Sequence, residues 1–303
     1  MKLLEETEHH RLRLEAAGLP YHPLARAESH HIVLDGMRFH YVDWGERTGR
    51  PIVLLHGGGQ TCRTWDIVCH ELAQVGFRGI ALDLRGHGDS EWSYESDYRI
   101  EAHANDVAAL IEALDLRRVV VVGMSLGGIT GLHYALGNPD RVAAFVAVDI
   151  GPWVHAEGGA PIRQFMQEVA SLDELEQFVD AAVRFNPRRD PRLLRRSLWN
   201  NLRTCPDGRL MWKTDLRRFG ARTGGATDAL AGLQRGIGDL RCPTLIVRGA
   251  DSPILHEEHA RRFAEAIPNG RWIAVEGAGH NVQGDQPAAL VRALRDFLDA
   301  TRL

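Results

Sequence analysis

The stretch RVVVVGMSLGGITGLHYAL, residues 118–136, decides how this chain is read. Four consecutive valines suit an extended strand covered on both faces: β-branched side chains pack well on a pleat, and no polar alternation leaves a face for water. The run stops at Gly123-Met124-Ser125-Leu126-Gly127-Gly128 and continues as a helical pattern. This is the G-x-S-x-G spacing in the strand–turn–helix context that gives it meaning. The chain must turn so sharply that Ser125 is strained, with its hydroxyl pointing outward. Gly123 and Gly127 leave room where a Cβ would strike the neighbouring strand or helix. The start of the helix aims backbone N–H groups at the site, where negative charge is stabilised.

Working outward, the same kind of apolar run recurs at residues 51–57, 77–86, 141–150, 243–249 and 271–277. Helical patterns separate the runs, around residues 65–75, 100–114, 127–136, 256–266 and 287–298. Strands alternating with helices predict an α/β fold with a mostly parallel, doubly wound sheet. Before it, HIVLDGMRFHYVDWG reads as a β-hairpin around Asp35-Gly36, a strong turn dipeptide. Residues 1–25 read as a polar helical extension ending at Gly18 and Pro20, and are a candidate homodimer contact. From 151 to 238 no β-rich run appears. Helical patches at 161–170, 172–183, 191–202 and 211–219 predict an all-helical cap inserted between the two parts of the core, 26–150 and 239–303.

Composition excludes several classes. With 303 residues, 44 % hydrophobic and 25 % charged, the chain has material for a large core, which argues against disorder. A net charge of -4 gives no footprint for nucleic acid. No apolar run approaches the ~20 residues of a membrane span, and the N-terminus lacks the apolar region of a secretory signal. Cys62, Cys69, Cys205 and Cys242 show no CxxC spacing and read as reduced thiols of a cytoplasmic protein. The cap carries 13 Arg and one Lys against ten acids over residues 151–235, with seven of the Arg between 184 and 203. A solvated helix face is the plain reading of that cluster; an anionic substrate or an acidic partner surface is the alternative.

Chemistry gathers at strand ends, where parallel sheets place function. A serine nucleophile needs a base. Of 15 histidines, His280 in Gly277-Ala278-Gly279-His280 stands just past the last strand. The base needs a carboxylate on its other nitrogen. Asp251, after the strand at 243–249, gives the chain order Ser125, Asp251, His280; Asp149, after the preceding strand, is the rival. A tetrahedral oxyanion needs N–H donors, expected from Leu126 and from Gly58 in His56-Gly57-Gly58-Gly59. His56 reads as a loop organiser, and Asp83 as organising its own loop. Trp65, Trp153, Trp199 and Trp212 are candidates to line an apolar substrate pocket. The HEEH segment at His256 and His259 lacks the HExxH spacing, so no metal and no cofactor are expected.

These pieces together resemble the α/β-hydrolase superfamily with a helical cap, over residues 32–298. HGGG (56–59), DLRGHGDS (83–90), GMSLGG (123–128), RGADSP (248–253) and GAGH (277–280) carry the resemblance. It implies a Ser-His-Asp hydrolase that cleaves a small-molecule carboxylic ester, lactone or thioester with water through an acyl-enzyme. Epoxide hydrolases and haloalkane dehalogenases use an aspartate nucleophile, and position 125 is serine. Carbon–carbon bond hydrolases of ring-cleavage dienones are the alternative, but that family usually has Met where Leu126 stands and Trp where Asn281 stands. A receptor that binds ligand on the same fold without turnover is the non-enzyme alternative.

Overall fold

The computed structural model describes residues 10–154, 159–187, 189–219 and 226–303. Strands β1 (Ala27–Leu34) and β2 (Met37–Trp44) form the expected hairpin. Its turn residues Asp35 and Gly36 have φ of 48° and 83°, the left-handed pair that a tight two-residue hairpin turn requires. Next come β3 (Arg50–Leu55), β4 (Phe77–Leu82), β5 (Val119–Met124) and β6 (Val142–Val148). After three short cap strands, β7 (Ser171–Leu172), β8 (Leu202–Thr204) and β9 (Leu210–Trp212), the main sheet resumes with β10 (Thr244–Gly249) and β11 (Gly270–Val275). The eight main strands lie in the order β1-β2-β4-β3-β5-β6-β10-β11. Only the pairings of β2, with β1 and with β4, are antiparallel; the others run parallel.

The valine run shows why both faces had to be apolar. Val119 and Val121 pack on one side of the sheet with Phe145 and Phe263, while Val120 and Val122 pack on the other with Trp65 and Leu294. Successive residues of a strand point to opposite faces, and here each face is roofed. Helices α1 (Asp66–Ala73), α2 (Ile100–Ala113) and α3 (Leu126–Gly137) follow β3, β4 and β5. Each fully buried valine is worth on the order of 2 kcal/mol of transfer free energy.

The segment between β6 and β10 holds α4 (Ala160–Glu168), α5 (Leu175–Phe185), α6 (Pro191–Asn201) and α7 (Ala226–Gly236). Helix α5 starts in a capping box between Glu174 and Gln177. Helix α6 starts on Asp190, which accepts a bond from Arg192 N, with Pro191 at the first turn. Met166, Phe178, Leu194, Leu198 and Trp212 make a third core, separate from the two beside the sheet. The all-helical expectation is corrected here: β7, β9 and β8 form a small antiparallel sheet. Residues 211–219, read as a helix, are the end of β9 followed by a 3-10 turn at Leu216–Phe219. The strand puts Trp212 into the cap core, where its Nε1 donates to Met166 O at 3.2 Å. The cap meets the core at Asp215, buried, whose carboxylate accepts a hydrogen bond from the Tyr98 hydroxyl at 2.5 Å and whose N–H donates to Gly86 O.

Helices α8 (Glu257–Glu265), α9 (Val282–Asp285) and α10 (Pro287–Ala300) complete the core. The N-terminal helical turns lie at residues 10–16 and end near Gly18, with φ of 69°. Residues 1–9 lie outside the described residues. The helix presses Leu14 and Ala17 into the molecule, so that apolar face is used within the chain. Among the described residues no helix is long and apolar enough to cross a membrane.

Candidate active site

Ser125 stands between β5 and α3 at φ 51° and ψ −116°, a left-handed φ that costs a non-glycine residue roughly 1–3 kcal/mol. Its neighbours enforce the turn. A Cβ at Gly123 would strike the carbonyl of Gly127, and one at Gly127 would strike the carbonyl of Leu55. Ser125 N donates to Val148 O at 3.2 Å, Gly127 N to His56 O at 3.1 Å, and Gly128 N and Ile129 N to Ser125 O. The N–H of Leu126, at the first turn of α3, has no acceptor among the described residues.

The glycine loop after β3 lies against this elbow. His56 is fully buried. Its Nε2 accepts from Leu84 N at 3.0 Å, which leaves the proton on Nδ1 to donate to Gly57 O at 2.8 Å. His56 therefore organises the loop, as expected. Gln60 closes the loop, accepting from Gly57 N through Oε1 at 3.1 Å while its N–H donates to Gly57 O. Gly58 is half-buried and its N–H has no acceptor among the described residues. At Gly59 a Cβ would run into Met166 of α4, so the cap rests directly on this loop.

His280, in the loop after β11, donates from Nδ1 to Asp149 Oδ2 at 2.7 Å. The imidazole is 12 % exposed and the carboxylate fully buried. Asp149 also accepts from Gly249 N at 2.8 Å and from the Ser252 hydroxyl. This corrects the expected partner. Asp251 is exposed, and its N–H donates to Ala278 O; the loop after β10 contributes donors to Asp149 instead of the carboxylate. Strands β6 and β10 are parallel neighbours, so an acid at either end was compatible with the sequence. With Nδ1 donating to a carboxylate, Nε2 of His280 keeps its lone pair. Ser125 N bonds to Val148 O, one residue before Asp149, and His280 bonds to Asp149, so the three follow the carboxyl ends of β5, β6 and β11.

The tryptophan expectations fare differently. Trp65 is fully buried in the core beneath the sheet, and Trp212 is buried in the cap core beside Phe178; both are packing residues. Trp153 stacks edge-on to Phe263 under the guanidinium of Arg262. Trp199 is 65 % exposed and faces outward beside Leu12 and Leu175. Residues that the sequence reading missed are Met166, over the glycine loop, and Gln283, whose Nε2 donates to Gln60 Oε1 at 3.2 Å.

Among the described residues, one trio of potential metal ligands comes together, His40, Cys62 and Asp83. Their atoms are already engaged. His40 Nδ1 lies 2.7 Å from Asp83 Oδ2 and His40 Nε2 2.7 Å from Ser29 Oγ. Asp83 also accepts from Cys62 N and Asp89 N. Burial would raise the Asp83 carboxyl, but the bond from His40, the neighbouring His56 and His40 imidazoles and the Cys62 N–H outweigh it and hold it below its ordinary value. Asp83 thus organises its own loop, as expected, and ties the hairpin to the segment after the glycine loop.

Fold and site together define a chain of the α/β-hydrolase family, and it belongs to that family: residues 50–287 match the family described as the alpha/beta hydrolase fold. It is 33 % identical to the esterase Rv0045c of Mycobacterium tuberculosis over 264 residues, covering 84 % of this chain and 85 % of that one. A structure of the same esterase, solved in a study of its transition metal inhibition, superposes with a TM-score of 0.79 at 29 % identity, over 95 % of this chain and 97 % of that one. A non-heme chloroperoxidase of Streptomyces lividans is 29 % identical over 275 residues, 87 % of this chain and 97 % of that protein.

Proposed function

We propose that this chain is a carboxylic ester hydrolase in which Ser125 is the nucleophile, His280 the base and Asp149 the acid that orients it. The observation that carries the reading is the strained backbone of Ser125 at the head of α3, a conformation that persists only where surrounding structure enforces it. In this reading His280 Nε2 takes the proton of Ser125 Oγ as it attacks the ester carbonyl. The Asp149 carboxylate steadies the imidazolium that forms. The N–H groups of Leu126 and Gly58 receive the developing oxyanion. The alcohol leaves with the proton from His280, and water releases the acid from the acyl-enzyme by the same steps in reverse order. The 33 % identity to an esterase supports ester as the substrate class.

The test is turnover of short para-nitrophenyl esters with covalent labelling by a fluorophosphonate probe. Ser125→Ala should lower kcat at least about a thousandfold and abolish labelling. An alanine variant that keeps full activity, or a wild-type chain that neither turns over esters nor labels, would sink the reading.

A further inference from the structure

The surplus arginine of the cap has a local focus. Where α6, the N-terminal helix and the turn before α1 meet, they line an open cavity of about 60 Å³. Four guanidinium groups line it, from Arg13, Arg63, Arg189 and Arg196. One carboxylate serves three of them: Asp66 lies 3.3 Å from Arg13, 3.5 Å from Arg196 and 3.6 Å from Arg63. The fourth, Arg189, has its Nε 3.5 Å from Asp285. Four cations against two anions leave the group two charges positive.

The donors are also under-used. The Nε atoms of Arg13 and Arg189 are buried and make no hydrogen bond among the described residues, that of Arg189 standing 3.5 Å from the Asp285 carboxylate. Burial, then repulsion from Arg196, brings Arg13 down to about 10 despite Asp66. Burial also lowers Arg189, with Asp285 only partly opposing it. Room has been left for Arg189: a Cβ on Gly284 would sit 2.6 Å from its Nη2. Buried cations that lack full compensation are unfavourable unless something pairs with them.

We propose that this cavity is an anion-binding site that takes one carboxylate or phosphate group. An oxyanion supplies acceptor oxygens to the idle Nε donors, and guanidinium forks match its geometry. Since one water needs roughly 10–15 Å³ of such space, the cavity holds a single small group rather than a whole cofactor. One residue of its wall is bonded to the glycine loop of the candidate active site. Gln283, on that wall, follows His280 by three positions and donates to both Gln60 of the glycine loop and Thr64. The anion is therefore either the acidic end of a substrate or free phosphate.

Calorimetric titration of the full chain with inorganic phosphate, at constant ionic strength held with chloride, reads the site without reference to catalysis. One-to-one binding at or below about 10 mM is expected, weakened about tenfold or more in Arg189→Met and in Arg196→Gln. Absence of binding by the wild-type chain at that concentration, or binding that neither variant weakens, overturns the proposal. Two para-nitrophenyl esters of equal length, one ending in a methyl group and one in a carboxylate, separate the sources. A lower KM for the acid-ended ester, raised by phosphate, marks a substrate subsite; phosphate that binds without moving either KM marks a free anion. Loss of all ester turnover would defeat the esterase reading and leave the phosphate result standing.

Discussion

At the residue scale, the choice between Asp149 and Asp251 is the sharpest question. Asp149 is buried and accepts from His280, Gly249 N and Ser252, so its charge is held in place by three donors. Asp149→Asn keeps the size of the side chain but presents an amide N–H or a weaker acceptor to His280 Nδ1, favouring the wrong tautomer. The expected loss in kcat is on the order of a hundredfold to ten-thousandfold. Asp251→Asn, at an exposed position, should stay within a few-fold of wild type. Steady-state ester hydrolysis by the two variants decides it, and the reverse pattern would return the acid role to Asp251. The serine and the histidine were legible because each sits in a glycine setting at a strand end. The acid was not, because β6 and β10 end side by side and each is followed by an aspartate. Which carboxylate turns inward is set by Ser252 and Gly249, a hundred residues away in sequence from Asp149.

At the scale of elements, long strands and helices were legible because their apolar patterns run over more than one turn or one pleat. The cap strands were not. β8 and β9 have three residues each, too few for alternation to show, and β9 exists to deliver Trp212 to Phe178 and Met166. This gives a contrast between two tryptophans that look alike in sequence. Trp212→Ala removes a side chain that is 3 % exposed and should cost about 3–5 kcal/mol of cap stability. Trp199→Ala, at a residue 65 % exposed, should change stability by no more than about 0.5 kcal/mol. Hydrogen exchange of cap amides reports both. Equal effects would mean that the cap core is not centred on Trp212.

At the scale of the whole molecule, the N-terminal helix joins core to cap. Arg13 on it shares Asp66 with Arg196 of α6, and its first described residue, His10, packs edge-on against His70 of α1 at 4.4 Å. The docking surface therefore depends on two buried imidazoles staying neutral. His70 Nδ1 accepts from Ala25 N at 3.2 Å, while Glu71, held by Arg295 at 2.9 Å, has its carboxylate 3.8 Å from His70 Nε2. Burial first, then the neighbouring His10, Arg13, His22 and Arg295, push His70 down to about 4. His10 is lowered as well, by burial and by Arg13 and Arg196, which outdo its bond to the His22 carbonyl. When the segment is released or the chain unfolds, both rings return toward about 6.5. The released state then binds more protons between those values, so docking is strongest above pH 6.5 and weakens as the pH falls toward 4. The expected loss is about 1–3 kcal/mol. Limited proteolysis near residues 10–25 should accelerate from pH 7 to pH 5 in the wild-type chain and much less in His70→Gln, whose amide can still accept from Ala25 N without taking a proton. A wild-type cleavage rate independent of pH over that interval, after correction for the protease itself, would show that the helix is held by Leu14, Ala17 and the Arg13–Asp66 pair, with the histidines contributing no pH-sensitive term.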